Sequence, residues 1–242
     1  MLGSDFGNQG HTTVEEANEL AADLGLVSGS CLLDLGSGAG WPGLYLAAKT
    51  GCRVVLTDVP AGGLRAGLRR AERRGIDAAL GAVASSGSHV PLRRGVFDNV
   101  VHSDVLCCVA AKRATLRSTA RVMRAGGRTA FSVIHTSPSL TEHERRRVRE
   151  FGPPYCTTRT PYQDLLASVG FVEVAGRDVT ARFFDIKVRS IAEADRLGDG
   201  LCEVLGAEEF DRIQMRRRET AAMIADGVLR RSVFTATRRT TP

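Results

Sequence analysis

Leu32-Leu33-Asp34-Leu35-Gly36-Ser37-Gly38-Ala39-Gly40-Trp41-Pro42-Gly43 is an apolar run that breaks into glycines and resumes as a helix former. Residues 31–35 have the length and composition of a buried strand, and residues 42–49 those of a helix. Between them, Gly38, Gly40 and Gly43 carry the spacing G-x-G-x-x-G, and Asp58 follows about 20 residues on. Glycines at a strand-to-helix turn let the backbone approach a ligand closely. A carboxylate at the end of the next strand can accept hydrogen bonds from ribose hydroxyls. The stretch therefore predicts a nucleoside-type ligand at the carboxyl edge of a sheet.

Outward from this loop, strands and helices alternate. Residues 12–27 read as an amphipathic helix, with Thr12 or Thr13 as cap, Glu15 and Glu16 in the first turn, and Leu20 and Leu24 facing inward. Residues 53–56 form a second strand ending at Thr57-Asp58, residues 64–74 a basic helix, and residues 78–83 a third strand. Residues 97–103 are a fourth, apolar strand. Residues 111–123 are helical, Gly126-Gly127 are expected to end that helix, and residues 128–134 are a fifth strand. This order predicts an α/β fold: a Rossmann-like, doubly wound sheet, mostly parallel, with helices on both faces.

Beyond residue 138 the pattern changes. Residues 139–150 are charged and helical until Gly152-Pro153-Pro154 breaks them, and a new helix starts at Thr160-Pro161. Residues 171–179 read as a strand, 186–226 as mostly helical, and 228–237 as a closing strand, expected to run antiparallel. One domain over residues 1–242 is expected, with 138–160 and 180–227 as helical insert segments capping the ligand edge.

A nicotinamide- or flavin-binding domain shares the glycine spacing. Three features favour another ligand. Asp34, two residues before the first glycine, would repel a pyrophosphate but suits the ammonium of a methionyl group. Trp41 and Pro42 crowd the helix start where phosphate oxygens would need amide N–H groups, and proline has none. The terminal strand, helical insert, strand unit suits a different sheet edge from the usual six parallel strands.

In this light, Leu33-Asp34-Leu35-Gly36-Ser37-Gly38-Ala39-Gly40 resembles the first motif of the class I S-adenosylmethionine-dependent methyltransferases, and Thr57-Asp58-Val59 resembles the second. The stretch from Val90-Pro91-Leu92 to Phe97-Asp98-Asn99-Val100-Val101 is similar to the family's approach to its fourth strand. Arg124-Ala125-Gly126-Gly127-Arg128 resembles the glycine turn before its fifth, and Leu165-Leu166-Ala167-Ser168-Val169-Gly170-Phe171 the helix entering its sixth. The small-molecule branch, with its amine and phosphoethanolamine methyltransferases, is the nearest likeness.

The resemblance implies S-adenosyl-L-methionine as cofactor and methyl transfer to N or O of a small-molecule acceptor. It places Asp34, Gly36, Ser37, Gly38 and Gly40 along the methionyl group, and Asp58 and Val59 at the ribose. It puts Ser86 and Gly87 at the adenine, where the family usually has an acidic residue, and Ser103 where donor and acceptor meet. Asp104, His102 and His135, at the ends of the fourth and fifth strands, are the candidates for orienting the acceptor or removing a proton. The phosphoethanolamine enzymes carry a histidine four residues after the aspartate that matches Asp104; Cys108 stands there in this chain. His11 and Phe6 belong to an N-terminal segment that often closes over the cofactor. Phe183, Phe184 and Tyr155 are candidates equally for the acceptor pocket and for the core.

Composition narrows the remaining classes. The 242 residues, 43% hydrophobic, can bury an ordinary core, and no apolar run approaches the roughly 20 residues of a membrane span. Residues 1–10 have neither the basic flank nor the apolar stretch of a secretory signal. The six cysteines form no C-x-x-C pair, which argues against a metal site and for a reducing, cytoplasmic compartment. The net charge of +6 comes almost wholly from arginine, clustered in residues 69–74, 145–149 and 216–218. Interspersed Glu72, Glu144, Glu150 and Glu219 make these clusters read as solvated helix faces rather than a nucleic-acid surface. An NAD(P)-dependent oxidoreductase and an RNA methyltransferase stand as the alternatives.

Overall fold

β1 (Cys31–Leu35) is buried along its whole length, as a central strand covered on both faces must be. In this computed structural model, residues 6–8 and 10–240 are described; residues 1–5, Gln9 and 241–242 lie outside it, and with them most of the 1–10 stretch. β1 pairs in parallel with β2 (Arg53–Asp58) on one side and β4 (Phe97–Ser103) on the other. β3 (Ala79–Ala84) extends the sheet beyond β2, and β5 (Met123–Thr136) beyond β4, again in parallel. β7 (Leu229–Arg238) then inserts antiparallel between β5 and β6 (Phe171–Asp178), giving the order β3-β2-β1-β4-β5-β7-β6. The expected mostly parallel sheet with an antiparallel terminal strand is what the chain adopts.

Side chains alternate across β1, so Leu32 and Leu33 enter opposite cores. On Leu32's side lie α1 (Val14–Leu24), α2 (Gly43–Thr50) and α3 (Ala61–Arg73), with Leu20, Leu24, Leu44 and Leu64 buried. On Leu33's side lie α4 (Lys112–Val122), α5 (Glu142–Phe151) and α6 (Tyr162–Ala167), packed around Leu116, Val148, Tyr162 and Phe131. Thr13 caps α1 by accepting the Glu16 N–H, and Thr141 and Glu144 cap α5 reciprocally.

Several boundaries differ from the sequence reading: α1 ends at Leu24, capped by Gly25, rather than at residue 27, and α3 begins at Ala61 rather than at residue 64. Gly126-Gly127 do not end α4; that helix stops at Val122 and the chain passes directly into β5. The glycines sit in a bulge where the β4–β5 register slips, Gly126 at φ 73 and Gly127 too close to the Asp98 carbonyl to carry a Cβ. The C-terminal helical block begins at residue 180 rather than 186. It is broken into α7 (Thr180–Arg196), α8 (Gly198–Leu205) and α9 (Ala207–Ala225). Among the described residues no helix is long and apolar enough to cross a membrane.

Candidate active site

β1 and β4 end side by side, and the turns that leave them form a cavity of about 440 Å³. Gly36, Ser37, Gly38 and Trp41 line it from the β1 loop, and Ser103, Asp104, Cys107 and Cys108 from the turn after β4. Ile134, Pro153 and Pro154 close the β5 side, and Gly7, Gly10 and His11 form a roof. This is the carboxyl edge of the parallel strands, where doubly wound sheets bind ligands.

The glycine loop is held from beneath. Gly36 and Ser37 donate their N–H groups to the Thr57 carbonyl at 2.7 and 2.9 Å. Gly36 adopts φ 71, and a Cβ there would meet Val105 at 2.3 Å, so only glycine fits. Asp58 accepts the Gly38 N–H on Oδ2 and the Val59 N–H on Oδ1, both at 2.7 Å. The buried Ser37 hydroxyl has no partner, although Ser37 lines the cavity. An orphaned polar atom beside a glycine cradle is what a polar ligand would complete.

Asp34 does not line this cavity. It is fully buried under the loop, where Oδ2 accepts the N–H of Gly43 at the start of α2. Burial raises its pKa to about 7, and its Oδ1 has no partner. The electrostatic objection to a pyrophosphate therefore does not rest on Asp34 facing the ligand. The chain's own bonds supply another: the Gly43 amide is used by Asp34, the Leu44 amide by the Gly40 carbonyl, and Pro42 has none. The helix start offers few donors to a phosphate.

The roof is tied down by a buried ionic network. Arg231 on β7 is fully buried and donates to both oxygens of fully buried Glu16, at 2.7 and 2.8 Å. Its Nε reaches both Asp104 oxygens at 3.0 and 3.1 Å, and Nη2 reaches the Thr12 hydroxyl at 3.0 Å. Burial pulls the Arg231 pKa down, but the Asp104 charge and the Glu16 bonds outweigh it and the guanidinium stays charged. Thr12 in turn bonds the Ser103 hydroxyl at 2.9 Å, and its carbonyl accepts the Trp41 indole N–H at 3.0 Å. His11 is thereby set against Phe183, ring centroids 4.9 Å apart. Burial first, then the Lys187 charge, lowers the His11 pKa to about 3, so its imidazole is neutral.

The structure gathers some of the expected site residues and separates others. Gly36, Ser37, Gly38, Ser103 and Asp104 converge on the cavity. Gly40 packs on Leu44 instead, and Asp58 stands behind Gly38. Val59 and Ser86 are exposed beyond it, Ser86 bonded to Ser88, while Gly87 lies against Thr115 and Leu35.

His102 is corrected: the alternation that turns Ser103 to the cavity turns His102 to the core. Its ring is fully buried, stacked on Phe131 at 4.3 Å, without a hydrogen bond, and burial lowers its pKa to about 3. His135 is corrected too. Its ring bonds the Ser232 hydroxyl at 2.9 Å within the β5–β7 ladder and does not line the cavity. Asp104 reaches the cavity, but its carboxylate is engaged by Arg231. Phe183 is core, and Tyr155 is exposed.

Sequence reading missed the Arg231–Glu16 pair. Its signal was available: Leu229, Arg231 and Val233 alternate on the inward face of the last strand, which marks Arg231 as a buried charge needing partners. Among the described residues no cluster of three or more His, Cys, Asp or Glu could hold a metal ion.

Comparison with known proteins agrees with this geometry. The methyltransferase domain family matches residues 33–131. The sarcosine/dimethylglycine N-methyltransferase of Halorhodospira halochloris is 27% identical over 208 residues, covering 84% of this chain and 72% of that one. A phosphoethanolamine N-methyltransferase of Triticum aestivum is 25% identical over 201 residues, covering 83% of this chain and 39% of that one. In structure, Haemonchus contortus phosphoethanolamine N-methyltransferase 2, solved with phosphomonomethylethanolamine and S-adenosylhomocysteine, superposes with a TM-score of 0.86. The match has 16% identity and covers 97% of this chain and 55% of that one, so the chain spans only about half of that protein. The matched domain over residues 33–131, the ordered motifs and the sheet order together make the chain similar to the class I S-adenosylmethionine-dependent methyltransferases, whose methyl donor is S-adenosyl-L-methionine.

Proposed function

We propose that this chain methylates the nitrogen of a small-molecule amine. The observation that carries the reading is that, among the described residues, no histidine or carboxylate of the cavity is free to act as a base; the Cys108 thiol also lines it, its pKa lowered to about 7 by its hydrogen bond with the Cys107 thiol. Asp104 is occupied by Arg231, His102 and His135 do not line the cavity, and His11 is held neutral with its basicity depressed. An amine arriving with its lone pair free needs orientation and exclusion of water more than proton removal. A hydroxyl acceptor would need a base.

S-adenosylmethionine supplies an electrophilic methyl group on a sulfonium centre. In this reading the Gly36–Gly38 backbone and the Ser37 hydroxyl bind its methionyl part, and Asp58 accepts its ribose hydroxyls. The Ser86-Gly87 turn lies toward the adenine. Ser103 and Asp104 face the point of transfer, and His11, Pro153 and Pro154 exclude water. Helices α7–α9, residues 180–227, act with the 138–160 segment as the cap on the acceptor side, Phe183 reaching the roof through His11. A cytoplasmic location belongs to the same reading, since all six cysteines are free thiols.

Radiolabelled donor supplied with a panel of small amines and matched alcohols tests it. Transfer to one or more amines, with alcohols inert, is expected. Transfer confined to alcohols would overturn the nitrogen assignment.

A further inference from the structure

Of the arginine clusters conspicuous in the sequence, 145–149 is largely neutralised and 216–218 is neutralised at Arg218. Arg145 and Arg149 reach Glu142, Arg147 reaches Glu219 and Asp226, and Arg218 reaches Asp195. The fold builds another cluster from arginines scattered through the chain. At the amino edge of the parallel strands, Arg94, Arg117, Arg121, Arg238 and Arg239 surround a groove of about 350 Å³ whose lining contains no carboxylate. Each arrives on a different constraint. Arg117 and Arg121 are one helical turn apart on α4, Arg94 lies in the loop before β4, and Arg238 ends β7 opposite Phe171. The Arg239 N–H donates to the Gly170 carbonyl at 2.9 Å, which fixes the β7 end against the start of β6. Arg121 is rigid, its guanidinium bonded to the carbonyls of Leu92 and Val90.

Among the described residues, Arg94, Arg117, Arg238 and Arg239 have no salt-bridge or hydrogen-bond partner for their side chains. Burial lowers the Arg238 pKa, and the neighbouring Arg94 charge lowers it further. β4 is seven residues long, so this groove lies on the order of 20 Å from the Ser103 end where the methyl-transfer cavity opens. It shares no lining residue with that cavity.

We propose that this groove is a second ligand site that binds a short polyphosphate chain, free or carried by a nucleotide. Guanidinium forks match phosphate oxygens in paired hydrogen bonds, and a polyphosphate concentrates enough negative charge to relieve several arginines at once. The volume suits a few phosphates. Arg124, just past α4, is paired with Asp98 at 2.6 Å.

Calorimetric titration of the full chain with inorganic tripolyphosphate, and in parallel with a nucleoside triphosphate, tests the site. Saturable one-to-one binding is expected for both, weakening as NaCl is raised. The double variant Arg117→Gln/Arg238→Gln should bind tripolyphosphate at least tenfold more weakly, while its affinity for S-adenosylhomocysteine is unchanged, which also confirms that it is folded. Equal affinity for the two ligands assigns recognition to the phosphate chain, and tighter binding of the nucleotide adds base contacts to the same site. No saturable tripolyphosphate binding, or binding unaltered in the double variant, overturns the proposal. So does tight binding of single-stranded RNA with none of tripolyphosphate.

Discussion

Replacing Arg231 by Met removes a fully buried guanidinium but keeps an unbranched side chain in its place. Glu16, also fully buried, loses both of its Arg231 donors, Thr12 loses one, and Asp104 loses the Nε that bridges its two oxygens. Removing one partner of a buried ion pair costs about 3–5 kcal/mol, because the remaining charge has neither water nor counter-charge. For a chain of this length, 1 kcal/mol corresponds to roughly 2–4 °C in Tm, so Arg231→Met should lower Tm by about 6–20 °C. Urea unfolding followed by circular dichroism measures the free energy, and calorimetry the Tm. The double variant Glu16→Leu/Arg231→Met removes the orphaned carboxylate and should recover most of the loss. Thr12 and Glu16 also hold the roof, so affinity for S-adenosylhomocysteine should fall in the single variant. If Arg231→Met unfolds within 1 kcal/mol of the parent, or the double variant is no more stable than the single one, the network does not hold the fold as described.

Asp58→Ala should weaken S-adenosylhomocysteine binding by about 1–3 kcal/mol, roughly 5- to 150-fold by calorimetry, through lost ribose bonds and a freed Gly38 amide; unchanged affinity removes Asp58 from the cofactor site. Asp34→Asn should flatten the pH dependence of stability. The Asp34 pKa is raised to about 7 in the fold from an ordinary 3.8, so the unfolded chain ionises first. Its stability contribution is therefore complete below pH 3.8, falls as pH rises, and is lost by pH 7. Between pH 5 and 8 the parent should lose about 3 kcal/mol more than the Asn variant in urea unfolding, and equal losses would contradict the buried-carboxylate assignment. His102→Phe should leave kcat unchanged and stability equal or higher, by up to about 2 kcal/mol, because two unpartnered ring nitrogens leave the core. A hundredfold fall in kcat with stability retained would restore His102 to the catalytic machinery.

Local chemistry made the frame legible. A strand, a glycine turn and a helix are set by residues within a dozen positions of one another, so the loop from Gly36 to Gly40 and the alternation through residue 136 could be read before any fold was known. The start of α1 was readable for the same reason: Thr13 accepts a backbone N–H a few residues away. Gly126-Gly127 misled because glycine permits a bulge as readily as a helix stop, and the β4 pairing that chooses between them is distant in sequence.

By itself, the sequence determined the class of fold, the carboxyl-edge location of the site and the glycine loop that marks the donor, because each follows from periodicity or short-range backbone geometry. Only the tertiary structure decided which polar residues face the cavity. His102 and Ser103 are adjacent, yet strand alternation sends one to the core and the other to the site. Asp34 sits in the key motif, yet packing sets its carboxylate beneath the loop on Gly43. Arg231 meets Glu16 across 215 positions, and the five arginines of the amino-edge groove are drawn from residues 94 to 239. Charge partners and like-charge crowding depend on distances in space, and those exist only once the sheet has brought the two ends of the chain together.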